Sequence, residues 1–378
     1  MTTTTGPNAY TALLLVHFQS LKDPRRTSKG NIIYPFIEIL FLTISACICG
    51  CTDYVHIKDF GDENLDWLRK YFPYKAGICS DDVIRKLFQK IDHDCFNDCY
   101  MAWAKQTYNL TNEELIAIDG KRIRGSYDTT SNIIASHIVS AFVSSSGITL
   151  GQVATEEKSN EITAIPALLD KIDIEGTIIS IDAMGCQKSI AKKIVSKKAN
   201  YLLAVKGNQK ELQEQVMHQF TLKLPFETHC TREVGHGRVE KRTATVLNDL
   251  SLLDEKDNWI NLNSIIKLET ERYDKTHKTT SCETRYYISS CANYTAEKMN
   301  TFIRSHWAIE NLLHWHLDVN FGEDNARKRI GNSAKNFNLV LKTGLTLLKR
   351  DELNKISIRR KKIKATFNEM YRDSLFKS

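Results

Sequence analysis

The stretch from Glu113 to Phe220 narrows the fold more than any other. Apolar runs at Leu115–Asp119, His137–Ser144 and Ile148–Ala154 have the length and β-branched content of strands, the last two joined by the turn residues Ser145-Ser146-Gly147. A helical pattern over Asn160–Ile172 follows, then a strand at Thr177–Asp182, a helix at Gln187–Ser196, a strand at Tyr201–Lys206 and a helix at Asn208–Phe220. A meander followed by alternating helices and strands predicts a mixed α/β sheet with flanking helices, since strand–helix–strand units give parallel crossovers.

The flanks differ in kind. Residues 10–105 carry helical periodicity in six segments with Asp or Glu at several starts, which predicts an all-helical N-terminal domain over residues 1–110. Short β-like runs at Arg238–Leu247, Ile260–Arg272 and Thr284–Ser289 predict a β-rich insertion, about 225–290, within an α/β domain covering 111–350. That domain closes with Ile303–Asp318, where apolar residues at 303, 307, 309, 312, 313 and 317 follow a helical spacing around one carboxylate, Glu310. Residues 351–378 form a basic tail, read as a solvated, frayed end or as a phosphate-contacting one. The basic turn Lys22–Gly30 carries the same two readings.

With 378 residues and 42% hydrophobic content the chain can build more than one core. Its net charge of +7 permits a polyanionic partner without demanding one. Met1–Gly6 lacks the basic-then-apolar pattern of a secretory signal, so a cytoplasmic protein with reduced thiols is expected despite ten cysteines. Cys47, Cys49 and Cys51 lack the paired spacing of a zinc site and read as core residues. Ile32–Cys51 is interrupted by Pro35, Glu38, Thr43 and Ser45, which favours a buried helix over a membrane span.

Asp119 and Asp182 each end an apolar strand, Asp119 before Gly120-Lys121-Arg122-Ile123-Arg124 and Asp182 before Ala183-Met184-Gly185-Cys186-Gln187. A lone aspartate at a strand end also serves as a turn former or cap. Ligands of open α/β sheets bind beyond the carboxyl ends of parallel strands, however, and a glutamate on an apolar helix calls for a partner. Three converging carboxylates suffice for two Mg²⁺ or Mn²⁺ ions, which prefer oxygen ligands and act in pairs at phosphorus. Rival chemistries lack their motifs. His306, Glu310 and His314 share a helical face and in principle could bind zinc, but His-Glu-x-x-His is absent. Glycine-rich nucleotide loops and a Gly-x-Ser-x-Gly elbow are absent too.

The chain resembles the H-repeat-associated transposases, a branch of the insertion-sequence DDE transposases with an RNase H-like core. The likeness rests on Ile118-Asp119-Gly120-Lys121, Arg124-Gly125-Ser126, Ile181-Asp182-Ala183-Met184-Gly185-Cys186-Gln187, Leu203-Ala204-Val205-Lys206-Gly207-Asn208-Gln209 and His236-Gly237-Arg238-Val239-Glu240. It continues through His306-Trp307, Glu310-Asn311, Leu313-His314-Trp315, Leu317-Asp318-Val319 and Glu323–Arg327, and spans about Phe18 to Lys349. Related transposases carry Tyr-x2-Arg-x3-Glu-x6-Lys around the glutamate; here only Glu310 matches, in the His-Trp form usual for this branch.

The resemblance implies an Asp119–Asp182–Glu310 triad holding two Mg²⁺ or Mn²⁺ ions. It implies water attack at the element's ends, then attack of the freed 3′-hydroxyl on target DNA. Double-stranded DNA would be the partner, on the bacterial nucleoid and with no membrane, and joining two ends requires at least a homodimer. Candidates for DNA contact are Lys121, Arg122, Arg124, Lys206, His236, Arg238, Arg304, His306, Trp307 and Asn311. Asn208 and Gln209 join them, or cap the helix that starts there. The alternatives are an inactive relic that only binds DNA and a cellular nuclease on the same core.

Overall fold

The computed structural model describes residues 14, 16–26, 28, 30–128, 133–155, 161–222, 226–235 and 237–377. After a short helical run at residues 16–19, the described residues form α1 (Phe36–Ile48), α2 (Tyr54–Glu63), α3 (Leu65–Leu68), α4 (Asp81–Lys90) and α5 (His93–Thr107). Asp53, Ser80 and Asp92 start α2, α4 and α5 by accepting a backbone N–H two or three residues on. Helix α1 is mostly apolar because it is enclosed all round: of its residues only Ile37 is not buried, and the buried Glu38 and Thr43 bond to the backbone at Tyr74 N and Ile39 O. No helix among the described residues is long and apolar enough to cross a membrane.

One nine-stranded sheet follows, in the order β3-β2-β1-β4-β5-β9-β8-β7-β6. Its members are β1 (Leu115–Arg122), β2 (His137–Val143), β3 (Ile148–Thr155), β4 (Ile178–Ile181), β5 (Asn200–Val205), β6 (Glu227–Gly235), β7 (Arg238–Leu247), β8 (Ser264–Asp274) and β9 (Thr279–Ser289). Strands β1, β4 and β5 pair in parallel and every other pairing is antiparallel, as a meander and two crossovers require. The crossovers run through α6 (Glu161–Lys171) and α7 (Lys188–Ser196), with α8 (Lys210–Gln219) after β5. The β-rich run therefore continues the same sheet, because β9 pairs with β5 along Leu202–Val205. Its first strand, Glu227–Gly235, has no apolar alternation and escapes a sequence reading because it is mostly exposed.

Strand alternation sorts the chain into two layers. Ile116 and Ile118 of β1 enter a core with α6, α7 and α8, whereas Ala117 meets the core built by α1–α5. That second core also takes Ile309, Leu313 and Leu317 and the C-terminal helices α10 (Ser333–Arg350), α11 (Ile358–Phe367) and α12 (Glu369–Lys377). Helix α9 (Ala296–His306), capped by Thr295, packs beside it through Met299 and Ile303.

The C-terminal segment is folded, not frayed. Lys361 Nζ donates to Leu348 O at 3.0 Å, Lys362 lies 4.3 Å over the Phe321 ring, and the Arg372 guanidinium lies 4.3 Å over Trp67. Cations that read as solvated instead cap carbonyls and stack on rings, burying their stems. In the basic turn near the N-terminus, Arg25 is spent on Asp23 and on Tyr34 O.

Candidate active site

The layer that faces the helical core carries the site. On β1, position 119 shares its face with Ala117, so the Asp119 side chain points toward the segment holding Ile309, Leu313 and Leu317. On the neighbouring parallel strand Ile181 pairs with Ile118, which brings Asp182 alongside Asp119 just past the strand end. Asp182 Oδ1 accepts N–H bonds from Met184 at 3.0 Å and Gly185 at 3.4 Å, so it also caps the turn that follows.

Glu310 arrives differently from the uniform helix its sequence suggests. Helix α9 stops at His306, and Glu310–His314 and His316–Asn320 are wound as π-type turns. The wider i→i+5 winding is uncommon and accompanies functional sites. Here it buries Leu313 and Leu317 while Glu310 and His314 face Asp119, and it leaves Leu312 and Trp315 exposed. One ligand atom each from Asp119, Glu310 and His314 lies within 4.8 Å of the others. His314 Nδ1 is 3.4 Å from Glu310 Oε2 and 3.6 Å from Asp119 Oδ2.

These carboxylates sit in opposing fields. Burial, with the nearby charges of Glu310 and Asp182, pushes the Asp119 carboxyl up to about 6, against the pull of His314. Glu310, whose side chain is half exposed, is held below its usual value, first by the hydrogen bond with His314. His306 is pushed down to about 4 by burial, and its ring hydrogen-bonds the Ser180 backbone. His306 feels the charges of Asp182 and Glu310 but is not among the three residues whose ligand atoms come within 4.8 Å of one another, so the expected His306–Glu310–His314 zinc set does not form among the described residues.

The remaining candidates scatter. Lys121 shares the face of Asp119, but its Nζ is taken by Asp318 at 2.6 Å, Glu323 at 2.7 Å and Asp324 at 3.4 Å. Arg122 and Lys206 are exposed, and the Arg124 side chain is 82% exposed with Nε 3.6 Å from Asp324. Asn208 donates to Ala183 O at 2.7 Å and Gln209 to Cys186 O at 3.0 Å, so they tie the loop after β5 to the Asp182 turn and neither caps α8. Arg238 lies exposed at the start of β7, and Arg304 pairs with Glu233 at 2.8 Å. Trp307 carries the Arg285 guanidinium 4.7 Å over its ring, and Asn311 donates to Trp307 O at 3.1 Å. His236 lies outside the described residues. His314, weighed in the sequence only as part of a zinc face and set aside, is the residue the structure adds to the site: it stands against Asp119 as well as Glu310.

A model described as Transposase DDE domain matches residues 111–347, and one described as DDE_Tnp_1-associated matches residues 15–104. The chain belongs to the H-repeat-associated branch of the DDE transposases. It is 40% identical over 375 residues to "Putative transposase YncI" of Escherichia coli O157:H7, covering 97% of this chain and 94% of that one. It is 38% identical over 365 residues to "H repeat-associated putative transposase YhhI" of Escherichia coli (strain K12), covering 95% and 96%. Among solved structures, the piggyBac transposase synaptic complex with hairpin DNA aligns with a TM-score of 0.48 at 11% identity, over 98% of this chain and 81% of that one. The mixed strands β3-β2-β1-β4-β5 of this transposase are its RNase H-like core.

Proposed function

We propose that this transposase cleaves phosphodiester bonds at the ends of an insertion-sequence element and joins the freed 3′-hydroxyls to target DNA. Asp119, Asp182 and Glu310 hold a pair of divalent ions for both steps. The observation that carries this reading is the approach of Glu310 and His314 on the π-wound segment to Asp119 on β1, with the Asp182 charge on the next strand near enough to help burial raise the Asp119 carboxyl to about 6. Such a set repels itself when bare and has the oxygen donors that Mg²⁺ and Mn²⁺ select, so the residues fit the ions. Bound there, the ions polarise the phosphoryl oxygens and lower the pKa of a coordinated water.

The protein's own share is placement. The parallel β1–β4 pair fixes two carboxylates on a rigid sheet, and Asn208 and Gln209 hold the turn of the second. Arg122 at the end of β1, and Arg124 and Lys206 just past β1 and β5, stand exposed where a phosphate backbone can reach them. Lys121 has a different task, holding the Asp318–Asp324 segment against β1. Two element ends must meet for joining, so the active form is at least a dimer on double-stranded DNA of the bacterial nucleoid.

The test is cleavage of labelled DNA carrying the element's ends, in Mg²⁺ or Mn²⁺, by wild type and Asp182→Asn. The expected result is binding by both and metal-dependent nicking by wild type alone. Equal nicking by both would place the chemistry elsewhere, and binding without nicking by either would leave a DNA-binding protein.

A further inference from the structure

His314 has no place in a triad of two aspartates and a glutamate, yet it occupies the centre of this site. Its ring is 5% exposed, Nδ1 faces both Asp119 and Glu310, and Nε2 has no hydrogen-bond partner in the protein. A buried imidazole nitrogen between two carboxylates would normally close to a charge-assisted bond of ~2.7–2.9 Å. Both contacts are longer, at 3.4 and 3.6 Å. They match instead the separation of neighbouring ligands around a single ion, which at metal–ligand distances of about 2.1 Å is ~3.0 Å in an octahedron and ~3.4 Å in a tetrahedron.

Among the described residues no Lys or Arg forms an ion pair with Asp119 or Glu310. The nearest ammonium on the same face of β1, Lys121, is committed to Asp318, Glu323 and Asp324. The ring is also held in place. Leu313 precedes it and Leu317 follows in the helical core, and the π-type turns aim positions 310 and 314 together at β1.

We propose that His314 Nδ1 is a protein ligand of a divalent cation shared with Asp119 and Glu310, giving the site a mixed nitrogen–oxygen position. The inference rests on the reading of Asp119 and Glu310 as metal ligands. Its chemical consequence is selectivity: imidazole suits first-row transition ions, whereas Mg²⁺ favours oxygen, so the position prefers Mn²⁺ over Mg²⁺.

The experiment is electron spin-echo spectroscopy of the full-length protein loaded with Mn²⁺, with calorimetric titration of Mn²⁺ and Mg²⁺ in parallel. Wild type should show nitrogen modulation from a coordinated imidazole. His314→Gln should lose that modulation and bind Mn²⁺ roughly tenfold or more weakly, with a smaller change for Mg²⁺. A wild-type Mn²⁺ site that Asp119→Asn abolishes but that carries no nitrogen modulation would overturn the role of His314 and leave the carboxylates standing. Modulation that survives His314→Gln and disappears in His306→Gln would also overturn it. Mn²⁺ binding indifferent to Asp119→Asn and Glu310→Gln would overturn the metal reading of the site itself. The wild-type spectrum decides the matter even if His314→Gln fails to fold.

Discussion

Asp119, within β1, and Asp182, one position past the end of β4, follow the paired Ile118 and Ile181 on adjacent parallel strands, so the sheet itself sets two like charges side by side. Burial of Asp119, with the charges of Glu310 and Asp182 near it, has a cost in the metal-free protein. A carboxyl raised to about 6 in the fold is destabilising when ionised, by at most about 3 kcal/mol above pH 6 at ~1.4 kcal/mol per unit. Asp119→Asn should therefore raise the melting temperature in EDTA at pH 7.5 by a few degrees while abolishing metal-dependent nicking. Adding Mn²⁺ should stabilise wild type and leave the variant unchanged in the same scanning calorimetry. A variant less stable than wild type in EDTA would refute the cost of burying this charge beside the others.

Lys121 and the exposed cations separate by assay. Removing the ammonium leaves the buried Glu323 and the partly buried Asp318 without their cation, so Lys121→Met should lose ~3 kcal/mol in urea denaturation. Arg124→Ala and Lys206→Ala should keep stability within about 0.5 kcal/mol. Each should instead lower the slope of log affinity against log salt for DNA by about 1. A stable Lys121→Met with a reduced salt slope would return Lys121 to the phosphate contacts.

Lys342 predicts a pH dependence of folding. Its Nζ donates to Ser140 Oγ at 2.7 Å and Gln152 Oε1 at 2.6 Å inside the core, and burial pushes its pKa down to about 7. The unfolded chain keeps that proton to about pH 10.4, so between pH 7 and 10 the unfolded state binds more protons and stability rises with pH. Below pH 7 the penalty of the buried charge is present in full. Between pH 7 and 9.5 the urea midpoint of wild type should climb relative to that of Lys342→Met, by an energy of order a few kcal/mol. Parallel midpoints would show that the ammonium keeps its charge.

Gly125 tests a close approach between backbones. A Cβ there would lie 2.3 Å from Ala326 O and 2.9 Å from Asp324 O, both main-chain atoms that cannot swing aside. Gly125→Ala should cost about 1–3 kcal/mol and slow nicking, because the displaced 324–326 segment carries one of the partners of Lys121. Unchanged unfolding midpoints would contradict the contact.

Asn208→Ala should act on rate before stability. Losing its bond to Ala183 O costs about 1 kcal/mol, yet frees the turn in which Asp182 sits. The nicking rate at saturating DNA should fall roughly tenfold with DNA affinity unchanged, since small displacements at a reacting centre are expensive. A loss of affinity at constant rate would make Asn208 a DNA contact instead.

Much of this arrangement was legible in the sequence, and the exceptions have physical causes. The apolar runs before Asp119 and Asp182 are buried on both faces and so stand out in the sequence, although β1 continues past Asp119 to Arg122, where its residues turn polar and less buried. The segment around Glu310 reads as an ordinary helix because Leu313 and Leu317 keep a four-residue spacing that α and π winding both accommodate. The backbone's choice between them, which put His314 into the site, leaves no mark in residue type. Lys121 and the cations of α11 and α12 were misread for a related reason: charge is visible in a sequence, but the carboxylate, carbonyl or ring that absorbs it lies far along the chain.

The shared core of the first and last helices has a consequence for synthesis. Phe41 in α1 packs its ring against Phe376, 5.1 Å away, near the end of the chain. At translation rates of ~5–20 residues per second, Trp67, Tyr71 and Phe72 reach Phe41 within seconds, but Phe376 follows only after tens of seconds. Until then the side of α1 that the C-terminal helices cover stays open, and a chain released early leaves it uncovered.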